Sequence, residues 1–345
     1  MAGAVSDTAF LASSIGFNPG GLVDGFWTLT VEGLTYGAIY ALVAVGYTLV
    51  YGVLKLINFA HSEVFMFGMF GQYVVLVLLG FSPNGNTYNE GVALTLIYLL
   101  VAGVGAMAVS GAVALGLERV AYRPLRRRGA RPLVFLITAI GMSFVLQQTV
   151  QYVLPQVPTE PRLGGSSAQP IISLVRPSTQ FTIFGAQITN VTIVIIVAAL
   201  LLAVTVDVLI NRSGFGRAIR AVAQDPDAAT LMGVSKERVI MLTFLIGGIL
   251  AGAAALLYTL RLPSGIVYNG GFLLGIKAFC AAVLGGIGNI RGALLGGLIL
   301  GVAENYGSIL FGNQWKDVVA FVLLVVVLMF RPSGILGEKL GRARA

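Results

Sequence analysis

Residues 91–117 read GVALTLIYLLVAGVGAMAVSGAVALGL, an unbroken run without a charged side chain. Glu118 follows, then Arg119, Arg123, Arg126, Arg127, Arg128 and Arg131. A helix that crosses a bilayer needs about 20 consecutive apolar residues. This run supplies them, and the arginines behind it mark the side on which the span ends.

The same pattern recurs along the chain. Charge-free runs cover 33–54, 64–89, 132–159, 177–206 and 239–260. After residue 261 ionisable residues come singly, and three more spans are expected near 270–287, 292–310 and 315–331. The expected fold is an all-α, polytopic transmembrane bundle of eight or nine spans. The number depends on whether the glycine-rich 264–290 is one broken span or two pieces. Residues 1–25, which carry no Lys or Arg, are expected to be a tail without a cleavable signal. The transmembrane domain is expected over 26–331, with a short tail over 332–345.

Composition agrees. The chain is 57% hydrophobic and 10% charged, too few charges to coat a soluble protein of 345 residues. Its 45 glycines suit close helix approach in lipid. The net charge of +8 does not point to nucleic acid, because the basic residues are grouped. They gather at 119–131, at 211–238 (Arg212, Arg217, Arg220, Lys236, Arg238) and in the tail (Arg331, Lys339, Arg342, Arg344). The positive-inside bias puts these three segments in the cytoplasm, and the loops near 81–90 and 155–190 outside. Nine spans then place the N-terminus outside and the C-terminus inside. The external 155–190 segment holds Pro155, Pro158, Pro161, Pro170 and Pro177, and reads as an irregular loop. It is either a plain linker or a surface for a delivery protein.

Within the basic loop 211–238, Asp225-Pro-Asp-Ala-Ala-Thr-Leu-Met-Gly233 carries helix punctuation. Asp225 is an N-cap, Pro226 suits the first helical position, and Asp227 adds charge at the positive helix end. Gly233 ends the helix in a left-handed conformation, and Ser235 starts the next span. A short helix over 226–232 is therefore predicted between two spans. It is either a linker or a coupling helix seated on a partner, with Asp225, Pro226, Asp227, Ala228, Ala229, Leu231, Met232 and Gly233 as the docking set. Phe215 and Met232 are apolar candidates for that surface.

A candidate substrate path comes from Asn58, His61 and Glu63, too polar to face lipid. They either cap helix ends or line a route from a broken helix. The tract Gly285, Gly286 and Gly288 is assigned to the same path. It is not a phosphate loop, because no Gly-Lys-Ser/Thr occurs in the chain. His61 is the one histidine and Cys280 the one cysteine, which leaves no set for a histidine metal site. No cofactor is expected. Glu32, Lys277 and Glu304 sit in or beside apolar runs and are each functional candidates by default.

Five stretches occur in order: Gly37-Ala-Ile-Tyr-Ala-Leu-Val-Ala-Val-Gly-Tyr-Thr-Leu-Val-Tyr-Gly52, Ile57-Asn-Phe-Ala-His-Ser-Glu63, Glu118-Arg-Val-Ala-Tyr-Arg-Pro124, Ala281-Ala-Val-Leu-Gly-Gly-Ile-Gly288 and Lys316-Asp-Val-Val319. With Arg331-Pro-Ser-Gly-Ile-Leu-Gly337 they closely resemble the high-affinity branched-chain amino acid ABC permease family, over roughly 26–337. Asp227-Ala-Ala-xxx-Gly233 is similar to the Glu-Ala-Ala-xxx-Gly loop of ABC importer permeases, with Asp for Glu. Ser62 departs from the family, which usually has Gly before the Glu. The resemblance implies a complex with a second permease, two ATP-binding cassette subunits and an external solute-binding protein. It also implies import of Leu, Ile, Val or related solutes in a prokaryotic inner membrane, with no catalysis by this chain. Family relatives carry urea and short amides. A partner-independent secondary transporter is the rival class.

Overall fold

A computed structural model describes residue 17 and residues 19–81, 91–156, 164–262 and 265–337. Most of the tails at 1–25 and 332–345, and most of the 81–90 loop, lie outside the described residues. So does 157–163 of the proline-rich segment.

A six-residue helix α1 (Pro19–Asp24) leads into α2 (Phe26–Leu54), α3 (His61–Leu78), α4 (Val92–Leu117), α5 (Arg123–Arg127) and α6 (Pro132–Gln148). Then come α7 (Asn190–Arg212), α8 (Gly214–Gln224), α9 (Pro226–Leu231) and α10 (Lys236–Thr259). The bundle closes with α11 (Gly270–Gly285), α12 (Ile290–Phe311) and α13 (Lys316–Phe330). Eight helical segments are long and apolar enough to cross a membrane, among the described residues. The 16 residues of α11 form a ninth, shorter segment of about 24 Å. The glycine-rich region is thus one helix followed by a break at 286–289. This is a multi-pass membrane protein.

The helix α2 is the axle. From Gly37 to Val50 it is buried throughout, and α10, α11 and α12 pack on it. Lipid gives no hydrophobic drive for helix pairing, so packing must hold the bundle. Glycine supplies it: Gly33 and Gly37 on α2 meet the backbone of Gly301 and Gly297 on α12. A second tight layer joins α3, α4 and α10 through Gly68, Ser110, Gly248 and Gly252. The outer sides of α4, α6, α7 and α13 stay exposed and apolar, as a lipid-facing ring requires.

Two expected spans are corrected. The run 177–206 begins with a hairpin, not a helix: β1 (Thr179–Ile183) pairs antiparallel with β2 (Ala186–Thr189). Phe184 and Gly185 make its two-residue turn with φ of 49° and 87°, the backbone that a tight hairpin demands. Thr189 then caps α7 by accepting from the Thr192 amide at 3.2 Å. The run 64–89 is shifted as well, since α3 starts at His61 and ends at Leu78.

The basic segments gather at one end. Arg123 reaches Glu237 at 3.0 Å, tying 119–131 to the start of α10. Arg291 reaches Asp207 at 3.2 Å, and Asn289 Nδ2 donates to the Leu336 carbonyl at 2.9 Å. The hairpin and the loops after α10 and α12 lie at the opposite end.

Candidate functional site

The chain leaves α2 at Lys55, whose φ of 54° turns it back, and re-enters the bundle before α3 begins. The residues of this turn are buried: Asn58, His61, Ser62 and Glu63 are each 3% exposed or less. His61 touches Gly46 and Gly247, and Gly247 stands eleven residues into α10, or about 16 Å from the arginine-rich end. The turn therefore sits near the middle of a hydrocarbon core of about 30 Å.

Each polar group has a built environment. Asn58 Oδ1 accepts from the Tyr122 hydroxyl at 2.7 Å. Glu63 Oε1 accepts from Gln147 Nε2 at 2.8 Å and from Ser143 Oγ at 3.1 Å, both on α6. Ser62 Oγ lies 2.8 Å from the Phe59 carbonyl and 3.2 Å from the same Glu63 oxygen. Glu63 also sits in the first turn of α3, where the helix dipole favours a carboxylate. The His61 ring stands edge-on to Tyr47 with centroids 4.7 Å apart. Among the described residues, His61 Nε2 and Glu63 Oε2 have no hydrogen-bond partner. A buried polar atom without a partner costs about 1–3 kcal/mol, so these two are open valences in the bundle.

The glycines assigned to the same path lie elsewhere. Gly275 packs on Ser62, and ten residues of α11, about 15 Å, separate it from Gly285. Gly285 meets Gly292 at the start of α12. Gly286, with φ of 109°, packs beneath Gly334 and Gly337. The Ile335 and Leu336 amides donate to the carbonyls of Leu284 and Gly285, each at 2.9 Å. Gly288, with φ of 97°, completes the turn. These glycines shape the break at the arginine-rich end, and the structure does not bring them to Asn58, His61 and Glu63.

The predicted cytoplasmic helix forms as α9. Asp225 Oδ1 accepts from the amides of Asp227 and Ala228 at 2.9 and 3.0 Å. Gly233 follows the helix with φ of 85°. Ser235 occupies the N-cap of α10 without a side-chain cap bond. Ala229 is buried, while Leu231 and Met232 are 90% and 84% exposed. Phe215 is corrected: it is half-buried against the core and does not belong to the free surface. Its helix α8, which the sequence reading missed, is capped by Ser213 accepting from the Gly216 amide at 3.0 Å. Behind α9, Lys236 pairs with Asp227 at 3.4 Å.

Glu118 and Tyr122 entered the sequence reading only within the quoted family stretch, and Ser143 and Gln147 were not marked in it. The last two left a trace, as polar residues one turn apart in an apolar run.

The turn at Asn58, His61 and Glu63 is thus buried and polar, and α9 carries two exposed apolar residues at the basic end. The family model described as "branched-chain amino acid transport system / permease component" matches residues 29–328. The chain belongs to this family. The permease is 44% identical over 313 residues to the high-affinity branched-chain amino acid transport system permease protein BraD of Pseudomonas aeruginosa, covering 89% of this chain and 94% of that one. It is 41% identical over 318 residues to the corresponding protein LivH of Escherichia coli K12, with the same two coverages. A probable branched-chain amino acid permease of Methanocaldococcus jannaschii is 27% identical over 320 residues, covering 90% and 92%. The permease spans nearly the whole length of each. Permease subunits of ABC transporters are not themselves catalytic.

Proposed function

We propose that this permease forms half of the transmembrane pathway of an ATP-driven importer for branched-chain or related small neutral amino acids. Its arginine-rich end faces the cytoplasm of a prokaryotic cell, across the inner membrane. A second permease completes the pathway, two ATP-binding cassette subunits hydrolyse ATP, and an external binding protein delivers the solute. The hairpin and the proline-rich segment face that delivery protein. The route passes the buried turn at Asn58, His61 and Glu63, where the unpartnered His61 Nε2 and Glu63 Oε2 supply polar contacts.

One observation carries the ATP-driven reading. The helix α9 presents Leu231 and Met232 bare at the basic end, on a helix ordered by its own cap. Two adjacent exposed apolar side chains in a charged loop suit a groove on a partner.

The double variant Leu231→Asp/Met232→Asp is expected to insert in the membrane at normal level. The ATPase subunits are expected to be lost on co-purification. Affinity purification followed by immunoblotting reads this directly. Normal co-purification would remove the docking assignment, and ATP-independent amino acid uptake by the isolated permease would remove the mechanism.

A further inference from the structure

A cavity of about 250 Å³ opens between α2, α3, α10 and α11 at the end opposite the arginines. Tyr40, Met69, Tyr258, Leu273 and Leu274 line it, and Lys277 is the one charged side chain among its lining residues. Pockets for drug-sized ligands run from about 300 to 1,000 Å³, so this one suits a smaller molecule.

Lys277 is held by two carboxylates. Its Nζ pairs with Glu304 Oε1, and with Asp317 Oδ1 at 2.5 Å. Glu304 is fully buried, and its Oε2 has no partner among the described residues. Replacing a buried ion pair by apolar residues is often neutral or stabilising, so packing alone does not explain a Lys–Glu pair inside a membrane bundle. The surroundings repeat the balance of charge. Arg261 Nη1 lies 3.9 Å from Glu32, and Lys316 Nζ lies 4.8 Å above the Tyr36 ring. Around the cavity Arg261, Lys277 and Lys316 stand with Glu32, Glu304 and Asp317, so the charge near it balances. A simple anion or cation gains little from such a field. A molecule with both charges on one carbon and an aliphatic chain meets the Lys277 ammonium and a Leu/Met wall, with the half-exposed Asp317 carboxylate beside that ammonium.

We propose that Lys277 is the carboxylate-binding group of a zwitterion site in this cavity, which takes a small aliphatic amino acid. The half-exposed Asp317 is the partner that the ligand's carboxylate displaces from the ammonium. Glu304 stays in place and positions Lys277. The site deepens the reading of the permease as an amino acid importer and rests on it for the cargo.

The test uses the purified transporter complex in nanodiscs without its binding protein, with equilibrium binding of radiolabelled L-leucine. Loss of one charge-assisted contact is worth about 1.5–3 kcal/mol, or roughly ten- to a hundredfold. Lys277→Met/Glu304→Gln, which removes both charges of the buried pair and leaves the half-exposed Asp317 to solvent, is expected to weaken leucine binding by about tenfold or more. Leucinol, which lacks the carboxylate, is expected to compete poorly, and 4-methylpentanoate, which keeps it, to compete better. A variant that needs no change to the ion pair is Leu273→Trp at the half-exposed wall, which is expected to weaken leucine more than alanine. Leucine binding unchanged in the double variant, or leucinol competing as well as leucine, would overturn the site. Uptake by the wild type across amino acids separates the two claims. A wild type that carries another zwitterion, and loses it in the double variant, would overturn the branched-chain cargo and leave the site standing.

Discussion

Gly301→Leu is expected to leave almost no folded permease in the membrane. Gly301 faces α2 where its backbone touches the Gly33 carbonyl and the Gly37 amide. A Cβ there would stand 2.5 Å from Gly37 Cα, and a Cβ at Gly297 would stand 2.5 Å from Ala41 Cα. These neighbours are backbone, so no rotamer change relieves the overlap. Overpacking a core by side chains alone costs about 1–3 kcal/mol, and separating two backbones costs more because every contact along the seam opens together. In lipid the loss is not offset elsewhere, since packing is what joins the helices. The axle α2 also carries the contacts of α10 and α11, so the damage spreads. Gly116→Leu and Gly141→Leu are the matched controls, because nothing lies within 4 Å of a Cβ at either. Size-exclusion profiles of detergent-extracted, fluorescently tagged protein compare them. A Gly301→Leu peak as tall and sharp as that of Gly116→Leu would remove the seam from the account.

The sequence carried the spans, the break after α11 and the capped helix, because each rests on local chemistry. Charge is excluded from hydrocarbon wherever it falls, so a run such as 91–117 needs no tertiary context. Asp225, Pro226 and Gly233 act on their own backbone, and their roles follow from spacing. The hairpin was hidden because Thr-Gln-Phe-Thr-Ile over 179–183 has no charge either, and a window that counts charges merges it with the span behind. The buried turn was half legible. Asn58, His61 and Glu63 stood out as polar residues, yet their partners Tyr122, Ser143 and Gln147 sit on helices far along the chain. Single-sequence patterns carry no pairing information over such separations. The glycines 285–288 misled for a related reason: glycine marks a close approach without saying to what, and here it approaches the C-terminal segment.

The second large effect is expected from Glu118→Ala, as a loss of transport in a complex that still hydrolyses ATP. Glu118 is fully buried in a π-helical turn, Glu118–Tyr122, that joins α4 to α5. Its Oε1 accepts from Arg126 Nη2 at 2.6 Å and from Arg123 Nε at 3.3 Å. Both arginines also reach Glu237, at 3.5 and 3.0 Å, in the first turn of α10. Glu237 adjoins Lys236, which pairs with Asp227 of α9. At the far end of the π-turn, Tyr122 donates to Asn58 in the buried turn. Ion pairs, hydrogen bonds and two short backbone segments thus link α9 to the buried turn. Breaking a buried ion pair from one side costs about 3–5 kcal/mol, because the partner charges are stranded. Glu237 remains to hold both arginines from the exposed side, so the loop loosens and the fold survives. ATP closure at α9 would then be absorbed in the loop instead of moving the turn. The number of amino acids carried per ATP is expected to fall by about tenfold, roughly what 1.4 kcal/mol of lost coupling gives. Glu118→Gln, which keeps an acceptor, is expected to fall between. Spatial continuity alone is not coupling, so the decisive measurement is a double-variant comparison. Tyr122→Phe cuts the same link at its other end, and its effect on the transport ratio should not add to that of Glu118→Ala. Full additivity, or an unchanged ratio in assembled Glu118→Ala complexes, would mean that the movement travels by another route.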